Sequence, residues 1–289
     1  MRTLLSDTEL HRHRARYGFL FGITVTLFAV AFLFPLYWMV TGAVKSPAEA
    51  AQTPPTLVPH TVETSNYATA WNQLQIARFF VNTVFYAVGG WLIQIIVAVT
   101  AAYALSKLRP VFGKVVLGAM LASLMLPVSA LLVPAYLTVS DVPIVHVNLL
   151  NTPWALWLPG AANAFNVYVL KRFFDQLPDE LLDAAALDGA GRWRTLWSVV
   201  LPLSRPVLGV VSLFSVIAIW KDFLWPLLVL QRPEVQTISV ALSRLANVSQ
   251  VPPTVMMAGL VIASIPMVLI LLVFQRSIIG GLTAGATKG

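Results

Sequence analysis

The chain contains no cysteine, so disulfides, thiolate metal sites and cysteine nucleophiles are outside its chemistry. Its four histidines, His11, His13, His60 and His146, make no metal-binding spacing with acidic residues on any predicted helix. No G-x-x-x-x-G-K-[ST] occurs; the nearest fragment, Gly113-Lys114, runs into Val115 and cannot cradle nucleotide phosphates in that manner. H-E-x-x-H, G-x-S-x-G and a Ser/His/Asp set are also missing. What remains is a handful of polar side chains inside apolar runs. Asn82, Gln94, Asn163 and Asn166 are amides, which there either bridge helices or face a hydrated solute path. Asp222 is the costly one, because a carboxylate deep in a membrane costs about 2.5–3.5 kcal/mol unless paired or wetted. Lys221 cannot pair with it on one helix face, since adjacent residues point about 100° apart. Asp222 is therefore expected at a pore mouth or against another helix.

The elements that hold these groups follow from composition. Of 289 residues, 58% are apolar and 11% charged, and mean hydropathy is +0.78. A soluble domain has about 45–50% apolar and about 25% charged residues. So little charge cannot cover a water-facing surface, and the chain reads as an integral membrane protein. The net charge of +7 would suit nucleic acid, but the basic residues lie in short clusters between apolar runs and form no stripe. No nucleic-acid partner is expected; membrane lipid is.

Charge-free runs cover Tyr17–Val44, Phe79–Ser106, Val115–Ser140, Val142–Leu170, Pro206–Trp220 and Leu245–Gln275. A spanning helix needs about 20 apolar residues. The fourth run carries Pro143, His146 and Asn151 first, which puts its helix start near Thr152. The fifth reaches span length only by continuing through Lys221 and Asp222 to about Leu230. The first run has 28 residues, too long for a signal-peptide core of about 7–15, and is kept as a span. The expectation is an all-α polytopic membrane protein with six transmembrane helices.

Lys and Arg set the orientation. Segments 1–16, 107–114, 171–206 and 276–289 hold 14 of them, against 4 in segments 45–78, 141–151 and 231–252. The first set is thus expected in the cytoplasm, with both termini. Trp38, Trp154, Trp157, Trp220 and Trp225 then fall toward the outer helix ends, as an aromatic belt does. Segment 45–78, with four prolines, reads as an extended outer loop. Asn247-Val248-Ser249 has the form of a glycosylation acceptor, a triple that often arises by chance.

Residues 171–206 are too long for a simple turn and read as two short helices. Pro178, Asp179 and Glu180 suit a first turn, and the run to Leu187 is rich in helix formers. Gly189 can take the left-handed conformation that ends a helix. The second helix is expected from about Gly191 to Leu201, with Pro202 stopping it. Two readings stand on these residues alone: an amphipathic hairpin lying on the membrane, or an element that docks its flat alanine face into a partner.

The string Asp183-Ala184-Ala185-Ala186-Leu187-Asp188-Gly189-Ala190, with Leu201-Pro202 after it, resembles the EAA motif of ABC importer permeases. Its departure is Asp183, where the motif has glutamate. Trp220-Lys221-Asp222-Phe223-Leu224-Trp225-Pro226 is similar to the W-N-D-F-L-W-P run of carbohydrate-type permeases, with Lys221 in place of asparagine. The Ala101-Ala102-Tyr103-Ala104-Leu105-Ser106 string, and the tail from Phe274 through Gly280-Gly281-Leu282-Thr283-Ala284-Gly285-Ala286 to Lys288-Gly289, resemble the maltose-type importer's shorter permease subunit.

That resemblance implies a type I ABC importer transmembrane domain in a bacterial or archaeal cytoplasmic membrane. It divides the chain into a tail, 1–16; a first helix, 17–44; an outer loop, 45–78; a core, 79–276, with the coupling loop at 171–206; and a tail, 277–289. It implies that Asp183, Ala184, Ala185, Asp188, Gly189, Ala190 and Pro202 couple to an ATPase. The partners implied are a second permease subunit, two ATPase subunits and an extracytoplasmic sugar-binding protein. No cofactor is implied on this chain, since ATP and Mg belong to the ATPase, and the chain itself is no enzyme. Loop 231–252 would reach the binding protein, although a plain connector reads as well. The amides Asn82, Asn163 and Asn166, with Asp222, are the candidates for a translocation path, helix bridging being the other role open to the amides. A di- or oligosaccharide is the implied substrate. Glycerol 3-phosphate is a second possibility, and an ion-driven carrier a third of another class.

Overall fold

A computed structural model describes residues 14–247 and 251–286, with side chains described from 17 to 247 and from 251 to 274. Most of the first tail, His11, His13, Val248, Ser249 and Lys288-Gly289 lie outside the described residues. No strand occurs among the described residues, only an isolated bridge between Val142 and Val147. The helices fall into two compact units.

One unit takes the chain to Leu74 and a stretch ending at Ile262. It holds α1 (Arg14–Gly42), α2 (Pro47–Ala50), α3 (Ser65–Asn72) and the start of α14 (Pro253–Ala286). Segment 45–78 is thus partly helical, not wholly extended. Pro47 occupies a first helical turn behind the Ser46 cap, whose hydroxyl accepts the Glu49 N–H, while Pro54, Pro55 and Pro59 lie in non-helical chain. The buried Lys45 donates to the Thr56 carbonyl and lies 4.7 Å from the Trp38 ring centroid. The Asn66 amide donates to the carbonyls of Ala43 and Lys45.

Buried Glu49 accepts from the Thr56 hydroxyl at 2.8 Å and the His60 N–H at 3.0 Å. Burial pushes its pKa up, but those two hydrogen bonds and the charges of His60 and Lys45 outweigh it, leaving the carboxyl below its ordinary 4.5. A lowered carboxyl stabilises the fold above its ordinary pKa and loses that contribution as pH falls through the lowered value. Protection of the amides in 45–64, taken relative to their intrinsic exchange rates, should therefore stay high at neutral pH and fall below about 4.5. Glu49→Gln should remove that acid step; an unchanged pH profile would show that Glu49 does not hold this loop.

The other unit runs from Gln75 to Asn247 and resumes at Ala263. It contains α4 (Ile76–Tyr103), which continues through a π-helical turn, Ala104–Leu108. Then come α5 (Gly113–Ser123), α6 (Val128–Ser140), α7 (Trp154–Gly160), α8 (Ala164–Phe174) and α9 (Asp179–Leu187). Next, α10 (Arg192–Thr195) runs on through a π turn, Leu196–Val200, and a last turn, Leu201–Leu203. α11 (Arg205–Lys221), α12 (Leu224–Val229) and α13 (Ile238–Ala246) complete it, apart from the rest of α14. At its centre Ala98, Val99, Ala102 and Tyr103 of α4 pack on Val167, Leu170 and Phe174 of α8, with Leu196, Val200 and Val211 closing the cluster. Alanines one turn apart let two helix backbones approach closely. Near the other end, the Trp157 ring covers Gly89, where an added Cβ would lie 2.3 Å from Cζ2, and its N–H donates to the Tyr86 carbonyl.

Among the described residues, three helices are each long and apolar enough to cross a membrane: Tyr17–Gly42, Ile76–Leu108 and Pro253–Phe274. Two pairs bent by 109° and 84° raise the number to five if each pair is one span. The expected continuous helices are therefore broken in three places, and the chain also turns sharply where the 171–206 loop meets the fifth run. Pro127 excludes Leu126 from helical geometry and separates α5 from α6. Asn163 turns extended and caps α8. Asp222 is extended because the Pro226 ring would strike its carbonyl in a continuous helix. Pro206 does the same to the Pro202 carbonyl, turning the chain at Ser204. Pro202 itself does not stop the second loop helix, as expected of it; the π turn before it re-spaces the carbonyls, and the helix continues to Leu203. Helix α14 extends through the expected tail to Ala286.

Candidate functional site

The 171–206 loop forms a helix–turn–helix whose joint follows from four residues. The Gly189 N–H donates to the Ala186 carbonyl, and the Ala190 N–H to the Ala185 carbonyl. This double closure is a Schellman motif, which requires a left-handed residue, and Gly189 has φ +76°. The spacing Ala185-Ala186-x-x-Gly189-Ala190 thus encodes the turn.

The loop has two faces. Ala185, Thr195 and Leu196 are buried, and Leu182 packs on the central cluster. Asp183, Ala184, Ala186, Asp188 and Gly189 are exposed, as is Pro202; Ala190 is half-buried. Leu187 is 90% exposed, and Trp193 and Trp197 are about two-thirds exposed. Three large apolar side chains exposed on one loop call for a cover, by lipid or by a partner. Of the seven predicted coupling residues, Ala185 packs inward and the others lie on or beside the open face.

The base of the loop is clamped to the end of α4. Lys107, its side chain only 4% exposed, donates from Nζ to the Leu177 carbonyl and to Asp179 Oδ1, both at 2.7 Å. Arg109 Nη2 reaches Asp179 Oδ2 at 3.2 Å. The Ser106 hydroxyl donates to Asp175 Oδ1 at 2.7 Å, while Lys171 Nζ holds Oδ2 at 2.7 Å. The hydrogen bond from Lys107, then its charge, sets the Asp179 carboxyl below its ordinary value. At Asp175, burial opposes but Lys171 and Ser106 prevail, lowering that carboxyl too. Sequence reasoning missed this clamp. Its signal was a basic, polar helix end, Ser106-Lys107-x-Arg109, and two acids flanking Pro178.

Within the second unit, α4, α6, α7, α11 and α12 enclose a cavity of about 400 Å3. Gln94, Asp222 and Thr237 line it beside Thr83, Tyr86 and Trp225. Asp222 accepts the N–H groups of Phe223 and Trp225. The other predicted path residues bond to protein. Asn82 donates to the carbonyls of Glu234 and Gln236, anchoring the segment that follows α12. Asn163 accepts the Asn166 N–H as a helix cap. The buried Asn166 amide donates to the Ser215 hydroxyl at 2.9 Å, bridging α8 to α11.

Residues 94–282 match the family described as binding-protein-dependent transport system inner membrane component. The chain belongs to that family. The resemblance read from 183–190, 220–226 and the tail is thereby borne out, and the protein is a multi-pass, inner-membrane permease of ABC-importer type. This permease is 30% identical over 266 residues to the diacetylchitobiose uptake system permease protein of Streptomyces coelicolor, covering 91% of this chain and 86% of that one. It is 30% identical to the sulfoquinovosyl glycerol transport system permease protein of Agrobacterium fabrum, over 92% and 93% of the two chains. Its identity to the sn-glycerol-3-phosphate transport system permease protein of Yersinia pestis is also 30%, over 86% and 90%. A solved bacterial ABC transporter involved in alginate import shares the fold, with TM-score 0.83 at 24% identity, covering 95% of the permease and 99% of that chain.

Proposed function

We propose that this permease is one half of the translocation pathway of an ATP-driven di- or oligosaccharide importer. It crosses the membrane six times with both termini in the cytoplasm, α7 and α8 together making the crossing that neither makes alone. A second permease subunit completes the path, an extracytoplasmic binding protein feeds it, and two ATPase subunits holding ATP and Mg drive it. Asp183, Ala184, Asp188, Gly189 and the exposed Leu187, Trp193 and Trp197 form the surface that an ATPase subunit covers, with Ala185, Ala190 and Pro202 supporting its shape. One observation carries this reading: an exposed apolar and acidic face stands on a helix pair whose base is rigidly clamped, as a force-transmitting contact requires. Asp222 lines the path, whereas Asn82, Asn163 and Asn166 hold its walls together. Loop 231–252 meets the binding protein.

Saccharide specificity is supported by relatives such as the diacetylchitobiose and lactose permeases. The glycerol-3-phosphate relative favours the second reading, import of that solute. An ion-driven carrier would give no use to the loop. Vesicles holding the complete transporter should take up a neutral saccharide only with internal or cytoplasmic-face ATP. Uptake driven by an ion gradient without ATP would overturn the proposal.

Topology has its own test, easy in a chain without cysteine. Cysteines placed singly at the exposed positions Asn148 and Glu234 should react with an impermeant thiol reagent from outside, and one at Lys114 should not. Outside labelling of Lys114→Cys would contradict the six-crossing arrangement.

A further inference from the structure

The cavity between α4, α6, α7, α11 and α12 has unused polar capacity. Three of its polar groups are spent elsewhere. The Thr83 hydroxyl donates to the Phe79 carbonyl and accepts the Ile238 N–H. The Tyr86 hydroxyl donates to the Val235 carbonyl, and the Trp225 N–H to the Ala155 carbonyl. Tyr86 and Trp225 therefore offer carbon surface to the cavity. Three other groups keep hydrogen-bonding capacity to spare. Thr237 is 5% exposed, and its hydroxyl oxygen has no hydrogen-bond partner among the described residues. A buried hydroxyl left so costs about 1–3 kcal/mol, which a ligand's hydroxyl would recover. Asp222 holds two backbone N–H groups but forms no ion pair among the described residues, and no Lys, Arg or His is among those lining the cavity. Gln94 adds an amide whose contact with Asn166, at 3.5 Å, is a weak one.

A carboxylate, an amide and a hydroxyl beside aromatic carbon surface suit hydroxyl groups on a carbon ring, and 400 Å3 lies within the size of ordinary ligand pockets. The same carboxylate, with no compensating cation, repels a phosphate or sulfonate in a site partly shielded from water. We propose that this cavity is a subsite for an uncharged saccharide unit, held by Asp222, Gln94 and Thr237, and that Asp222 excludes anionic solutes from the path. The proposal rests on the importer reading and narrows its substrate to neutral sugars, against glycerol 3-phosphate.

The test uses the complete transporter in vesicles, with lactose, melibiose and diacetylchitobiose as neutral probes and glycerol 3-phosphate as the anionic one. Thr237→Cys, the chain's sole cysteine, is labelled with N-ethylmaleimide. The neutral probe that the vesicles import should slow labelling, and glycerol 3-phosphate should not. Asp222→Asn should reduce the preference in uptake for that sugar over glycerol 3-phosphate by about ten- to a hundredfold, the scale of one charge repulsion at a partly shielded site. Asp222→Glu should retain the preference. Should Asp222→Asn fail to assemble, the labelling result stands on the wild-type carboxylate. An imported neutral sugar that leaves labelling unchanged would overturn the subsite, as would an unchanged preference in Asp222→Asn. Preferred uptake of glycerol 3-phosphate would overturn it as well. Vesicles that import none of the four probes would overturn the importer reading itself, and the subsite with it.

Discussion

Gly189→Val will leave the helices inserted and lower coupled transport about 5- to 30-fold. The left-handed region costs a side-chain-bearing residue roughly 1–2 kcal/mol, and a factor of that size follows from it. Beyond its own chain neighbours, no atom of the described residues lies within 4 Å of the site a Cβ would occupy, so the effect comes from the backbone and not from a clash. Once φ leaves +76°, the bonds from Gly189 and Ala190 to Ala186 and Ala185 are lost, and α10 swings away from α9. Gly189→Asn should be mild, because asparagine tolerates that region. Asp183→Lys should act like valine at 189 by reversing charge on the docking face, whereas Asp183→Glu should be tolerated. Uptake and saccharide-stimulated ATP hydrolysis, measured on the same vesicles, check this. Normal values for both Gly189→Val and Asp183→Lys would remove the loop from the mechanism.

Lys107→Ala will uncouple the transporter by about tenfold or more. It strips two charge-assisted hydrogen bonds from a buried position, each worth about 1.5–3 kcal/mol. The loop then still docks, but its displacement no longer reaches α4, which lines the cavity with Thr83, Tyr86 and Gln94. The expected signature is ATP hydrolysis that continues while uptake falls, in contrast to Asp183→Lys, where stimulation falls too. Lys107→Asp combined with Asp179→Lys should recover part of the loss, since the pair is restored although the Leu177 carbonyl is not served. Equal uptake in Lys107→Ala and wild type would show that the clamp carries no force.

The turn at Gly189 was legible in the sequence because everything it needs lies within six consecutive residues. The apolar runs were legible for the same reason: hydropathy is a sum over neighbours. Direction is not such a sum. The runs at 115–140 and 206–230 have span length, yet Pro127 and Pro226 bend or break them, and only the ring's clash with a specific carbonyl says where. Pro202 shows the converse, a proline accommodated by a π turn that no local propensity announces. The clamp was out of reach because Lys107 and Asp179 are brought together by the packing of α4 on α8. The roles of Asn82 and Asn166 were equally distant, each settled by a partner on another element. At Asp222 the sequence identified the costly charge, and the fold supplied its surroundings.

The choice between a docking loop and a hairpin lying on lipid turns on what touches Leu187, the most exposed side chain of the loop's apolar face. Leu187→Cys carrying a benzophenone, photolysed in native membranes that contain the complete transporter, should yield an adduct with the ATPase subunit, and Gly189→Val should diminish it. Adducts formed with lipid alone, undiminished by Gly189→Val, would contradict the coupling role of this loop.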